Sequence, residues 1–331
     1  YVETIKTVPD SGLFAFWESG RYATGFAALH NTIGYTVETH MLKPFSQRML
    51  ATLAFMEQFL TVPTSDSLRA QFDKNRMNGW VRRLADQPVH YLPIAHTLDM
   101  KHYKMIPFKG FEFGYRPSDV TGADRLVYDT RKPWEKPVKY YDCYVATDSV
   151  QVPKAYIIPF AYEDVIQKLK RNGIALRNVP IDTLVSLRVS YIVDYKTVSN
   201  PYEKHYLHHS VKTRDTMMKV MVRAGDAVAV VKSDNERFLT AVLEPRAADS
   251  YFAWNAFDGI LQQKEGYSDY VFEDKAAAWL KAHPEKYAEL QRKKAQDPAF
   301  AKDAWAQLYW VYKQTEHYEP THNLYPVYRV D

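Results

Sequence analysis

The sequence predicts an α+β protein, and three observations carry that prediction. Apolar residues recur at helical spacing near the N-terminus. Short alternating runs broken by Pro and Gly fill residues 88–235, and helical patterning returns from Glu236. A chain of 331 residues exceeds one small core. The expected division is 1–62, a connecting helix over 63–87, a β-rich, sandwich-like region over 88–235 and a helical region over 236–331.

Taken in order, Ile33-Gly34-Tyr35-Thr36-Val37 is an apolar, β-branched run that predicts a strand ending at Glu38-Thr39-His40. A helix follows. Ser46 suits its N-cap, and Met49, Leu50, Leu53, Met56, Phe59 and Leu60 form a stripe that calls for burial, with Pro63 as the stop. A second helix is expected from Ser65 to Leu84. Phe111–Tyr115 and Arg125–Tyr128 alternate as strands, and Pro133, Pro137 and Pro153 mark edges or irregular connections. Glu163–Arg171 reads as a helix closed by Asn172-Gly173. Strands resume over Thr183–Tyr195, Met217–Val222 and Ala227–Val231, and helix runs from Glu236 to about Tyr312, punctuated by Pro245, Pro284 and Pro298. The tail Leu324–Val330 is expected to add an extended edge.

The totals narrow the function. A net charge of +4 without a long Lys/Arg block argues against nucleic acid as a partner. The basic clusters Lys168–Arg171 and Arg292–Lys294 are expected to be solvated helix faces. No apolar run is long enough for a membrane span. One cysteine, Cys143, excludes an intrachain disulfide and a Cys-rich metal site, and its Tyr-flanked setting suggests a strand in the core. The absence of an initiator Met before Tyr1 suggests that processing or truncation has removed something.

Glu38 is the leading chemical candidate. A carboxylate at the mouth of a strand-to-helix connection lies where open α/β sheets keep their chemistry, and it can serve as a general base. A salt-bridged or capping glutamate fits the same spacing. Upstream, Gly20–Gly25 forms a polar loop in which Arg21 can grip a carboxylate and Tyr22 can hydrogen-bond a substrate. A surface turn with an anchoring Tyr is the alternative. Among the histidines, His205, His208 and His209 cluster but lack an acidic partner at metal-binding spacing. His96-x-x-Asp99 and His317-x-Glu319 are weaker pairs. There is no Gly-x-Ser-x-Gly, no Gly-rich phosphate loop and no His-x-x-Glu.

Arg21–Gly25 followed by Gly34–Pro44 resembles the closing part of a zinc carboxypeptidase catalytic domain, of the carboxypeptidase A-like metallopeptidase superfamily. The bacterial branch with a long C-terminal extension is the most similar. Lys109–Glu112, Arg116–Ser118, Pro153–Pro159, Phe257–Ile260, Gln263–Glu265 and Asn323–Val327 extend the resemblance along nearly the whole chain. It implies that residues 1–62 are the end of an α/β exopeptidase domain. Glu38 would then match the glutamate that activates a zinc-bound water, and Tyr22 the mobile tyrosine over the substrate carboxylate. His40 stands where the family places an Arg, and Arg21 would assist in substrate binding. The family's zinc ligands precede this region, so zinc belongs to the intact enzyme and none of its ligands to this chain. The implied partners are a peptide substrate and the N-terminal half of the catalytic domain, in a periplasmic or extracellular setting. The other reading is a non-catalytic module holding peptide, glycan or cell-wall material on its aromatic β region.

Overall fold

In the computed structural model, residues 3–61, 90–263 and 265–331 are described. The expected connecting helix over 63–87, including Ser65–Leu84, lies outside the described residues. The chain begins with β1 (Glu3–Thr4), β2 (Leu13–Phe14), α1 (Ala23–Leu29) and α2 (Phe45–Thr61). Strands β3 (Tyr91–Leu98), β4 (Lys104–Pro117), β5 (Asp124–Tyr141), β6 (Tyr144–Gln151) and β7 (Ala155–Ile158) follow. Next come α3 (Glu163–Arg171), β8 (Leu176–Asn178), β9 (Thr183–Thr197), β10 (His208–Val222) and β11 (Ala227–Val230). The remainder is α4 (Glu236–Leu243), α5 (Asp269–Ala282), α6 (Pro284–Gln296), α7 (Pro298–Lys302), α8 (Ala304–Tyr312) and β12 (Tyr328–Val330). The class is α+β. No helix among the described residues is long and apolar enough to cross a membrane.

Two compact units result, each assembled from separated stretches: Tyr1–Ala155 with Val230–Ala253, and Tyr156–Ala229 with Trp254–Asp331. The first unit holds a four-stranded sheet ordered β1-β2-β5-β4 and a two-stranded sheet of β3 and β6. Strands β4 and β5 pair antiparallel from Lys104↔Tyr140 to Pro117↔Asp124, with an irregularity between Phe111 and Glu112. Beyond the short parallel contact of β2 with Tyr140 and Tyr141, the pair extends as a ribbon. Trp134 covers Gly110 so closely that a Cβ there would lie 2.4 Å from its ring. On the opposite side Phe111, Phe113, Tyr115 and Tyr128 are exposed rather than facing a second sheet. Cys143 is exposed in the connection between β5 and β6, not in a core strand, because the two-residue link Asp142-Cys143 lies outside both ladders.

The helix expected after the first strand forms as α2. Its apolar stripe, however, stays in solvent: Leu50, Met56 and Leu60 are 66%, 57% and 72% exposed. The preceding strand does not form. Residues 32–40 carry no regular structure, no strand among the described residues pairs with them, and Ile33, Tyr35 and Val37 are exposed.

The second unit is built on a six-stranded sheet ordered β10-β9-β12-β7-β11-β8. Leu187, Val189, Val220, Val222, Ile157 and Leu324 form its buried cluster. The tail was expected at an edge, yet β12 lies inside the sheet, between β9 and β7. Pairing with Arg188 across 141 positions brings Arg329 there, and no local pattern encodes such a partner. Its guanidinium donates to Asp215 Oδ2 at 2.6 Å and Ser190 Oγ at 2.9 Å, while Ser190 Oγ donates to Asp215 Oδ1 at 2.7 Å. Helix α3 buries Val165, Ile166 and Leu169. It ends as its sequence predicts: Gly173 adopts φ +77°, its N–H bonds to Lys170 O, and Ile174 N–H bonds to Leu169 O. Among the described residues the helical pattern from Glu236 divides into five α-helices, α4–α8, and Pro284 and Pro298 stand at the first positions of α6 and α7.

Burial raises the pKa of Asp215, but the Arg329 charge, the hydrogen bonds from Ser190 and Arg329, and Arg188 outweigh it and hold the carboxyl below its usual range. Because the folded value lies below the unfolded one, this stabilisation is present at neutral pH and lost as pH falls through the folded value. Arg329→Met should therefore destabilise the second unit by about 2–4 kcal/mol at pH 7. In equilibrium unfolding the gap to the parent chain should narrow as pH drops below about 4. A gap that does not vary with pH would remove the ion pair as its cause.

Candidate functional site

The segment that carries the predicted chemistry is held in the first unit from its N-terminal side. Ala15 N–H bonds to Tyr141 O, and Tyr144 Oη donates to Ala15 O at 2.8 Å. Trp17 stacks on His96 with centroids 4.0 Å apart and tilts against Tyr144 at 5.3 Å. Burial lowers the pKa of that imidazole. The chain then turns at Ser19, whose carbonyl accepts from Tyr22 N–H. This turn explains Gly25: a Cβ there would lie 2.0 Å from Ser19 O. The Gly-bounded stretch is therefore a tight turn running into α1 rather than a loose loop.

Arg21 occupies the turn and is already engaged. Its Nε donates to Asp249 Oδ1 at 2.6 Å, its backbone N–H to Asp249 Oδ2 at 3.0 Å, and its Nη2 to Ala248 O at 3.1 Å. The carboxylate it grips is thus internal, with an Asp249 side chain only 8% exposed. Tyr22 is the N-cap of α1, and its carbonyl accepts from Phe26 N–H. Its ring meets the edge of Phe16 at 5.8 Å and remains 38% exposed. Helix α1 rests on α4 through Phe26 and His30, which approach Phe238 at 6.4 and 4.7 Å. Asn31, at φ +55°, donates to Asp234 O.

Beyond α1 the chain folds back over it. At Gly34 a Cβ would lie 3.0 Å from Ala27 Cβ. Tyr35 then meets the edge of Phe59 at 5.5 Å and of Phe55 at 6.4 Å. Glu38 follows as an exposed side chain on irregular backbone. His40 is also exposed, and its Nδ1 accepts from Leu42 N–H at 3.2 Å. Arg21 and Tyr22 therefore share one turn, and Glu38 and His40 share one irregular stretch. No hydrogen bond recorded among the described residues joins the two pairs.

The histidines of the second unit separate by strand alternation and turn geometry. His208 is buried. Its Nδ1 pairs with Thr197 Oγ1 at 2.9 Å and its Nε2 with Asp258 Oδ1 at 3.0 Å. His209 turns to Ser210, and His205 to Asn255. Sequence spacing alone did not disclose Asp258, fifty residues away, as the partner of His208. Asp99 bonds to His102 rather than His96. Among the described residues no group of three or more His, Cys, Asp or Glu side chains is placed to hold a metal ion.

Two polar groups beside α1 escaped the sequence reading. Glu18 Oε2 and His30 Nε2 are shielded from solvent, and neither has a hydrogen-bond partner among the described residues. Buried polar atoms are normally paired, so such groups draw attention to the ends of α1. Their sequence signal is weak: each is a single polar residue flanking the turn that contains Arg21 and Tyr22.

No family model, no curated protein and no solved structure matches the chain.

The contacts around Arg21 make a direct prediction. Arg21→Ala removes the guanidinium from a nearly buried carboxylate, leaves the backbone N–H bond to it, and should cost about 2 kcal/mol in equilibrium unfolding. Glu38→Gln, at an exposed position, should stay within about 0.5 kcal/mol of the parent. A large loss from Glu38→Gln would reveal a structural role for that carboxylate.

Proposed function

We propose that this chain is the C-terminal portion of a zinc-dependent carboxypeptidase-like hydrolase, which removes a C-terminal residue from a peptide and is inactive alone. The observation that carries this reading is the bare apolar surface from Ile33 to Leu60. A strand-like sequence lies without a ladder, and the α2 face that should cover a sheet faces solvent. Burying six Leu, Met and Phe side chains of that helix is worth on the order of 10 kcal/mol. Exposed patches of that kind mark a missing interaction partner. In this proposal the partner is the earlier part of the catalytic domain, whose sheet accepts residues 33–37 as a strand and packs on α2.

The described residues do not fit zinc by themselves, so its ligands are assigned to that partner. Within this chain Glu38 has the chemistry of a proton-transfer carboxylate, unencumbered at an exposed position. The Tyr22 hydroxyl suits a hydrogen bond to a substrate carboxylate. His40 stands two residues from Glu38 as an adjunct to binding. Because Arg21 is committed to Asp249, its role becomes that of holding the Tyr22 turn in place.

A second reading is favoured by the β4–β5 ribbon. Phe111, Phe113, Tyr115 and Tyr128 expose aromatic faces on one side of it, as in a module that holds peptide, glycan or cell-wall material without catalysis.

Expressing the chain within its full gene product separates the two. On the first reading that product takes up zinc and hydrolyses a blocked dipeptide. Glu38→Gln then lowers kcat at least about a hundredfold while zinc content stays the same. The isolated chain does neither. A full gene product that takes up no zinc, or zinc-dependent hydrolysis by the isolated chain, defeats the proposal. Leu53→Lys with Leu60→Lys should leave melting of the isolated chain unchanged and abolish zinc-dependent activity of the full product.

A further inference from the structure

The sheet of the second unit ends at β10, whose outer edge pairs with no strand among the described residues. From Thr213 to Val222 its ladder with β9 runs without a break in register. The stretch contains no proline and no glycine. Among the described residues its backbone makes no backbone hydrogen bond outside that ladder. A regular edge of this kind offers its free N–H and C=O groups to another strand. Prolines interrupt the ladder of the β4–β5 ribbon, and nothing comparable blocks β10.

The side chains of this edge are self-complementary. Residues 213, 215, 217, 219 and 221 share one face, because strand side chains alternate. On it Met217 and Met221 are exposed, as is Leu184, directly opposite Met221 on β9. Asp215 and Lys219 stand two residues to either side of Met217. An antiparallel copy related by a two-fold axis through Met217 therefore sets each Asp215 opposite the other copy's Lys219. Lys212 pairs with Asp194 on β9, whereas Lys219 is exposed and makes no ion pair among the described residues. The Asp215 carboxylate has room for it: Ser190 and Arg329 take one bond on each oxygen, and the side chain stays partly exposed. Neighbouring registers lose the match. Moving the axis by one residue, to Thr216 or Met218, puts Lys219 against Thr213 or Met217. Moving it by two, to Asp215 or Lys219, puts like charges directly opposite, which destabilises a sheet. A lone lysine on an edge ordinarily repels a second strand, but here the symmetry makes it a guide to register.

We propose that β10 pairs antiparallel with β10 of a second copy of this chain, on a two-fold axis through Met217. Residues Thr213 to Met221 of each copy join through about eight to ten hydrogen bonds. The two Met217 side chains pack together, and Met221 covers Thr213 of the other copy. The two sheets become one continuous sheet. This pairing uses only the second unit and does not depend on the hydrolase reading.

Sedimentation velocity of the full 331-residue chain carrying Leu53→Lys and Leu60→Lys tests this, since those changes remove the α2 stripe as a competing contact. The chain should dimerise reversibly. Lys219→Glu, which sets a second carboxylate against Asp215 of the other copy, should weaken the dimer at least about tenfold with the circular dichroism spectrum preserved. In a Cys143→Ser background, Met217→Cys should form an interchain disulfide on oxidation, because residues on the axis lie about 5 Å apart between Cα atoms. Met221→Cys, displaced about 27 Å from its own counterpart, should not. A chain that stays monomeric at near-millimolar concentration overturns the proposal. So does a dimer indifferent to Lys219→Glu, or cross-linking through Met221→Cys as readily as through Met217→Cys.

Discussion

The second unit depends on the insertion of β12 between β9 and β7. Without that strand the sheet separates into β10-β9 and β7-β11-β8, each with an open edge inside what is now the core. The buried guanidinium of Arg329 sets the register by binding Asp215 and Ser190 together. An uncompensated charge at that depth would cost several kcal/mol, so the strand is stable only where those two acceptors await it. Leu324, Tyr325 and Val327, all buried, carry the preceding segment into the same core. Tyr325 N–H bonds to Ser190 O, so Ser190 serves both the strand and its approach.

What could be read from residues alone follows the range of the interactions. Helix α3 was fully visible, because its amphipathic spacing and its Asn-Gly stop are local, and the stop takes the hydrogen-bond pattern those residues favour. The alternation within β4 and β5 was visible for the same reason. The position of β12 was not, since nothing in Tyr328–Val330 names a partner so far back in the chain. The proline signals marked the breaks between helices, and Pro284 and Pro298 stand at the first positions of the helices that follow.

The candidate site shows a sharper limit. Ile33–Val37 has strand chemistry and α2 has an amphipathic stripe, yet a strand exists only with a neighbour and a stripe is buried only against a surface. Local propensity defined both, but no described residue supplies the paired strand for Ile33–Val37, and the α2 stripe is exposed. At Arg21 the reverse held. It was expected to grip a substrate carboxylate, and the carboxylate it binds in the fold is Asp249 of the same unit. Spacing cannot tell an internal acid from a substrate.

The β4–β5 ribbon has two long flanks, and flanks of that kind invite a third chain to add itself and begin an aggregate. Here Pro107 faces Pro137 across the ladder and Pro133 faces Phe111. A proline offers no N–H, so each interrupts the row of donors that an intruding strand would need. Charged side chains along the ribbon, Lys104, Lys109 and Lys136 paired with Asp142, Glu135 and Asp10, further disfavour the approach of an apolar strand. The ribbon therefore displays its aromatic side while its flanks resist polymerisation, and it can remain extended in a crowded solution of its own kind.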